Sequence, residues 1–415
     1  MNPVSAPDTE ALTTETTETP DYPMPRAAGC PFDPPPALRE LGEQARISRV
    51  RLWDGSTPWL VGGYRDQRSL LADPRLSADN QRPGYPQQSP GIKARRANAA
   101  AFISMDDPEH ARQRRMVTAA FSIKRVEALR PAVQRIVDAR IDAMLAGPKP
   151  ADLVQAFALP VPSLVICELL GVPYDKHDFF QSRSSVLIRR TSTTEESLAA
   201  TEELIDYLDE LLGEKLEHPA DDLLSALAER IRAGELTRRQ AASMGMLLLV
   251  AGHETTANMI ALGTLALLEH PEQLDRVRAG EDPKLVASAV EELLRYLNIV
   301  HSGRRRVALE DIEIGGTTIR AGEGIVLAND LGNRDPEAFP APDSLDVGRN
   351  ARHHVAFGFG VHQCLGQPLA RVELQVVYGT LYRRIPELRL AVGLEEVPFK
   401  HDGLVYGVYE LPVTW

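Results

Sequence analysis

The segment Phe357-Gly358-Phe359-Gly360-Val361-His362-Gln363-Cys364-Leu365-Gly366 constrains this chain more than any other. It sets one cysteine among glycines, just ahead of a helix that should begin near Gln367-Pro368. Gly358, Gly360 and Gly366 let the backbone bend and approach a ligand with no Cβ in the way. Proline suits the first turn of a helix, where a missing N–H costs little. A cysteine facing a helix N-terminus meets free backbone N–H groups and the positive end of the dipole, which favours its ionised form. A lone buried cysteine is usually just a small hydrophobe, and that reading fits Cys167 in Leu164-Val165-Ile166-Cys167. It leaves the glycines and His362 around Cys364 unexplained. The loop looks built to offer a thiolate to a flat, buried ligand.

At 415 residues the chain exceeds the usual size of one core, so length alone favours two domains. A net charge of −12 argues against a general nucleic-acid binder, which shows a basic field. Three cysteines, Cys30, Cys167 and Cys364, are far apart and odd in number, which suits a reducing compartment rather than a disulfide framework. Residues 1–25 are rich in Thr, Glu and Pro, without the basic start and apolar stretch of a signal peptide. They read as a disordered leader. The apolar run Met244–Val250 is cut by His253 and Glu254, short of the ~20 residues a spanning helix needs. A buried core helix, no membrane association and a cytoplasmic location are expected.

Residues 47–61 read as a β-hairpin turned by Asp54-Gly55, residues 64–72 as a short helix and 81–91 as a Pro- and Gly-punctuated loop. Helical periodicity then predicts helices over 109–121, 123–146, 161–170, 197–217, 222–233, 237–269 and 282–297. Short strands are expected at 307–312, 317–319 and 324–328, a Pro-rich meander at 333–349, a last helix at 368–384 and a β element at 404–408. Helices first and a small β portion second make a mostly α protein with a minor sheet.

Ala251-Gly252-His253-Glu254-Thr255-Thr256 falls in the middle of the longest predicted helix. An acid there is expensive to bury without partners, whereas threonines can back-bond to the preceding turn. Ala251 and Gly252 leave the helix bare there, with room for something over it. Glu292 and Arg295 share a helix face three residues apart, by default a weak exposed pair. His110 and Arg114, at i and i+4, point the same way. Viewed alone, such a helical pair is by default a solvated face.

Taken together, these motifs resemble the cytochrome P-450 family, the haem-thiolate monooxygenases, over nearly all of Cys30–Trp415. The resemblance implies that family's triangular fold, an α-rich region plus a small β-rich one around a single haem b. Residues 26–415 are then one catalytic domain, with its β-rich part mainly at 47–63 and 305–330. It implies Cys364 as the iron ligand, with Phe357 packed against its loop, and His110, Arg114, Arg306 and His362 on the propionates. Thr255 would hold and protonate iron-bound oxygen, and Glu254 would relay protons from solvent, with His253 facing away. Glu292 and Arg295 would lock the meander; where many members carry a third arginine, this chain has Ser344, and Arg349 is the candidate substitute.

The implied reaction is hydroxylation of a C–H bond with O2. Electrons would come from a separate ferredoxin and NAD(P)H-dependent ferredoxin reductase, because no flavin or nucleotide module is present in the sequence. Arg112, Arg352 and Arg371 are candidate docking cations, and a monomer is expected. Pocket-lining segments are expected at 82–102, 179–194, 247–255, 297–302 and 403–408, with Arg189 and Arg190 facing either substrate or water. The resemblance extends to actinobacterial enzymes that hydroxylate macrolides, other polyketides, sterol-like compounds and xenobiotics, pointing to secondary metabolism or detoxification. A peroxide-driven peroxygenase and a haem gas sensor or carrier are the alternatives; neither needs the Glu254–Thr255 pair.

Overall fold

A computed structural model of the protein describes residues 19–27, 29–98, 101–279 and 283–415. The N-terminal part alternates short helices with strands: α1 (Pro36–Gln44), β1 (Ile47–Arg49), β2 (Trp59–Val61), α2 (Tyr64–Ala72), β3 (Leu76–Ser77) and α3 (Pro90–Asn98). Helices then dominate: α4 (Glu109–Thr118) and α5 (Ile123–Ala146), strand β4 (Ala151–Asp152), then α6 (Pro160–Leu170), α7 (His177–Ile188), α8 (Thr194–Glu217), α9 (Leu223–Arg232), α10 (Arg238–Leu268), α11 (Pro271–Ala279) and α12 (Pro283–Leu297). The rest comprises β5 (Arg304–Ala308), β6 (Ile312–Ile314), β7 (Thr317–Ile319), β8 (Gly324–Leu327), α13 (Asn329–Gly332), α14 (Gln367–Arg384), β9 (Arg389–Leu390) and β10 (Pro412–Thr414).

The five-stranded sheet has the order β1-β2-β8-β5-β3, with β2 and β8 parallel and its other pairs antiparallel. The hairpin forms around the expected Asp54-Gly55 turn, where Leu52 and Gly55 close it by backbone bonds. A second sheet, β4-β10-β9, ties the end of the chain to the segment after α5, outside the expected β-rich region. The main core joins the helices and is most continuous along α10, which packs on α6, α8 and α14. At ~1.5 Å per residue, the 31 residues of α10 cross the whole helical region. Thr237 and Gln240 form a reciprocal capping box that fixes its start.

Several boundaries differ from the sequence reading. α3, α7 and α11 were not expected, and the loop read at 81–91 gives way to α3 at Pro90. α8 begins at Thr194, before the expected 197, because Thr193 and Glu196 cap one another's backbone N–H groups. Residues 404–408 are not a strand: Leu404 N–H goes to Ile188 O and Tyr406 N–H to Ile299 O, so the donors are spent on two separate elements. The leader reading also fails for residues 19–25. Tyr22 and Met24 are buried in a satellite core with Leu38, Val50 and Leu60. Residues 1–18 of that reading lie outside the described residues.

Candidate active site

The Cys364 loop is closed on itself, with Cys364 N–H donating to Phe357 O at 2.9 Å. Gly358 and Gly360 both hold φ of 73°, the left-handed region. A Cβ at Gly360 would stand 2.3 Å from the Leu71 carbonyl oxygen, so the loop can seat on α2 only with glycine there. Pro368 lies in the first turn of α14, as expected. Phe357 is buried beneath the Arg371 guanidinium, 4.7 Å from its ring centre.

The thiol is under opposing influences. Burial pushes the Cys364 pKa above the usual thiol range, although Arg304, the Gly366 N–H, Arg114 and Arg371 all pull it down. The helix-start N–H pulls the thiol pKa down, and burial, the largest influence, pulls it up. Cys167 is buried and pushed up to about 12, consistent with a packing role.

His110, Arg114, Arg306 and His362, spread over the sequence, converge beside the cysteine. The His110 and His362 rings lie 4.0 Å apart. His362 is held down to about 3 by burial, then by Arg306 and His110, with Arg114 adding to the same effect. Arg114 donates to Gln363 O at 2.6 Å. Burial lowers the pKa of both Arg114 and Arg306. His110 is buried with Nδ1 on Asp107 at 2.9 Å, while its Nε2 and the Nδ1 of His362 have no hydrogen-bond partner among the described residues. Buried or half-buried cationic and imidazole groups with unspent ring nitrogens are costly unless an anion joins them. They fit the two carboxylates of a haem edge.

Arg304 was missed in the sequence. It lies two residues before Arg306 on β5, hence on the same side of the strand. Its guanidinium donates to Ala356 O at 2.7 Å, and burial lowers its pKa to about 10 while Cys364 raises it. A Cβ at Gly358 would come 3.0 Å from its Nε, so that glycine also makes room for Arg304. The strand's period of two was the available signal.

On α10, Ala251 is exposed and Leu247, Val250 and Thr255 are half-buried, amid neighbours that are otherwise mostly buried. Thr255 Oγ1 donates to Ala251 O at 2.8 Å, the back-bond expected of such a threonine. Gly252 serves a different purpose from the one expected: a Cβ there would meet Ile166 Cδ1 at 2.7 Å, so it permits contact with α6. Glu254 is 6 % exposed, with Oε1 3.7 Å from His253 Nε2. His253 is fully buried, bonds Leu249 O through Nδ1 at 2.7 Å and has its pKa lowered by burial.

Beyond the site, Glu292 and Arg295 are fully buried, bonded twice at 2.7 Å, in place of the exposed pair that is the default for such a spacing. Arg295 also donates to Asn333 O at 2.9 Å and Pro342 O at 2.7 Å, and Arg349 completes the lock by donating to Glu292 at 3.0 Å. Of the candidate docking cations, Arg112 is paired with Glu109 and Arg371 with Glu291, both at 2.6 Å, while Arg352 is exposed.

Four of the five expected lining segments are tied together. Gln88 bonds Ser302 Oγ at 3.3 Å, His301 bonds Gly403 O at 2.9 Å, and Leu404 and Tyr406 bond Ile188 and Ile299. Arg189 pairs with Asp402 at 3.7 Å and Arg190 donates to His401 O at 2.6 Å, so both arginines serve the 401–403 turn.

Comparison with known proteins agrees with this geometry. Residues 74–385 match the family model for cytochrome P450. "Cytochrome P450 GfsF" of Streptomyces halstedii is 58% identical over 400 residues, covering 96% of this chain and 97% of the relative. The vitamin D3 dihydroxylase of Streptomyces griseolus is 47% identical over 98% of this chain and 99% of its own length. The crystal structure of the mycinamicin VIII C21 methyl hydroxylase of Micromonospora griseorubida, bound to mycinamicin VIII, superposes with a TM-score of 0.90 at 42% identity, covering 96% of this chain and all of that one. The mostly helical architecture, the shared length and these identities place the chain in the cytochrome P450 family, as a haem b monooxygenase of its bacterial branch.

Proposed function

We propose that the protein hydroxylates a C–H bond of a bulky, largely hydrophobic small molecule such as a macrolide or other polyketide, a sterol-like compound or a xenobiotic. The observation that carries this is the acid–alcohol pair, Glu254 and Thr255, at the point where α10 leaves Ala251 uncovered. The overall change is R–H + O2 + 2 e⁻ + 2 H⁺ → R–OH + H2O. A separate ferredoxin and its NAD(P)H-dependent reductase supply the electrons.

When bound, haem b supplies the oxygen and C–H chemistry, and the chain supplies orientation, electrostatics and protons. Cys364 would hold the haem through its sulfur, and a thiolate ligand would supply electron density for the cofactor's oxygen chemistry. The Gly366 N–H tempers the sulfur's charge, as outer donors do at other metal sites. His110, Arg114, Arg306 and His362 would hold the propionates, and Phe357 would keep water from the sulfur. Glu254 takes protons from the solvent side and passes them to the Thr255 hydroxyl, which can both donate and accept. Ile299, Val300, Leu187 and Val405 give the substrate an apolar wall.

The relatives' substrates, vitamin D3 and mycinamicin VIII by their names, support the size and polarity class. The test is a screen of hydrophobic natural products for a low-to-high-spin shift of the haem Soret band, followed by mass spectrometry of the turned-over hit. A gain of one oxygen atom is expected. Substrates that shift the spectrum yet gain no oxygen with O2 and a ferredoxin system would overturn the reading.

A further inference from the structure

Arg304 stands on β5 in register with Leu327 of β8, so its backbone is fixed by the sheet. From there the side chain reaches the Cys364 loop. Its Nη2 donates to Ala356 O at 2.7 Å, and its Nε is buried with no hydrogen-bond partner among the described residues. Cys364 N–H donates to the next carbonyl, Phe357 O, at 2.9 Å. The arginine and the cysteine therefore hold adjacent carbonyls of one loop. Gly358, the residue after, turns back with its N–H on Val355 O at 2.8 Å. A Cβ there would stand 3.0 Å from Arg304 Nε and 3.1 Å from its Cζ. Three successive residues, 356–358, are shaped around this guanidinium and the cysteine.

The charge of Arg304 is also unlike that of its neighbours. Arg371, which lies over the Phe357 ring, is answered by Glu291 at 2.6 and 3.1 Å. Arg114 and Arg306 belong with His110 and His362 to the set that fits the haem carboxylates. Arg304 has no ion pair among the described residues. Residues 356–366 contain no carboxylate, and Cys364 is their one acidic side chain. A cation drawn into a protein is costly unless an anion answers it, and a cysteine bound to iron is an anion. Burial lowers the Arg304 pKa to about 10 and Cys364 raises it, in keeping with that pairing of charges.

We propose that Arg304 is a positioning residue for the cysteine ligand: through Ala356 O it holds the entering arm of the Cys364 loop, and its charge raises the reduction potential of the haem. A positive charge favours the state holding one more electron, so Arg304 eases the one-electron step from ferric to ferrous iron that the ferredoxin drives. Charge and hydrogen bonding around the ligand are the protein's levers on such a potential. The inference rests on Cys364 being the haem ligand, as proposed above.

The test is a redox titration of the substrate-free holoenzyme with dithionite and mediators, followed at the Soret band. Arg304→Leu is expected to disfavour the ferrous form at least threefold, a fall of about 28 mV for one electron. Arg304→Lys keeps the charge and should recover most of that shift. Arg383→Leu, at an exposed position in the last turn of α14, should leave the midpoint unmoved. The ferrous–CO spectrum reads the loop: on mild heating Arg304→Leu should lose the red-shifted band at least threefold faster than the wild type. An unmoved midpoint in Arg304→Leu, or an Arg304→Lys midpoint no nearer the wild type, overturns the inference. Should Arg304→Leu not retain haem, Arg304→Gln against Arg304→Lys makes the same comparison of neutral with charged, and equal midpoints overturn it. A wild-type protein without the red-shifted band would instead overturn the ligand reading, so the two failures are told apart.

Discussion

Arg349 donates its Nε to Glu292 Oε1 at 3.0 Å, across 57 positions of sequence. It also bonds the carbonyls of Ala341 at 3.1 Å and Ser344 at 3.2 Å, so one guanidinium fastens the meander to α12 from above while Arg295 does so from within. Arg349→Ala is expected to cost about 1–3 kcal/mol by leaving these acceptors unpaired. Arg295→Ala should cost about 3–5 kcal/mol, because it removes the two-bond partner of the fully buried Glu292 and leaves Arg349 as its one cation. Urea unfolding of the two variants checks the ranking, and equal losses would contradict it.

Glu291 is buried between Arg371 at 2.6 Å and His354 at 3.2 Å. Although burial opposes it, these partners hold its carboxyl down from 4.5 to about 2. A depressed carboxylate contributes stability that is present above its unfolded pKa and is lost as pH falls through the folded value. Stability should therefore drop between about pH 4.5 and pH 2, by on the order of 3 kcal/mol from this group. Glu291→Gln should unfold with a shallower pH dependence in that window. An unchanged slope would refute the assignment.

Glu373 on α14 shows the opposite sign. It is buried, its Oε2 has no partner among the described residues, and burial pushes its pKa up to about 8. Folding favours its neutral form, so stability is lost as pH rises from about 4.5 through 8. Glu373→Gln keeps the shape without the titration. Its melting temperature should exceed that of the wild type at pH 8 and converge with it near pH 4. A variant less stable at both values would show instead that the carboxyl has an unseen partner.

Cys364→Ser is expected to lose the red-shifted ferrous–CO Soret band of a thiolate-ligated haem, and an unchanged band would disprove the ligand role. Thr255→Ala should keep a normal substrate-induced spin shift while diverting most electrons to peroxide. Normal coupling in that variant would remove Thr255 from proton delivery.

What the sequence revealed followed the range of the interactions. The Cys364 loop was legible because glycines and a proline mark a sharp local path, and Thr237-x-x-Gln240 marks where α10 starts. The same capping signal at Thr193-x-x-Glu196 was present and passed over, which put α8 three residues late. Arg304 against Gly358 depends on residues that only folding brings together. Residues 404–408 carry strand-like side chains, yet their backbone partners lie on α7 and after α12. Gly252 was given the right importance for the wrong neighbour, since no local rule tells which helix will lean on a glycine.

The packed N-terminal segment bears on how the chain is made. Arg26 lies over the Tyr406 ring at 4.2 Å and pairs with Asp330 at 3.2 Å, so an early residue is seated on residues made much later. Domains begin folding from the N-terminus during synthesis, but this seat does not exist until Tyr406 has left the ribosome. Segments 297–302 and 403–408, joined by the bonds of His301 to Gly403 and of Tyr406 to Ile299, come together late for the same reason. Until then this side of the nascent protein stays unpacked.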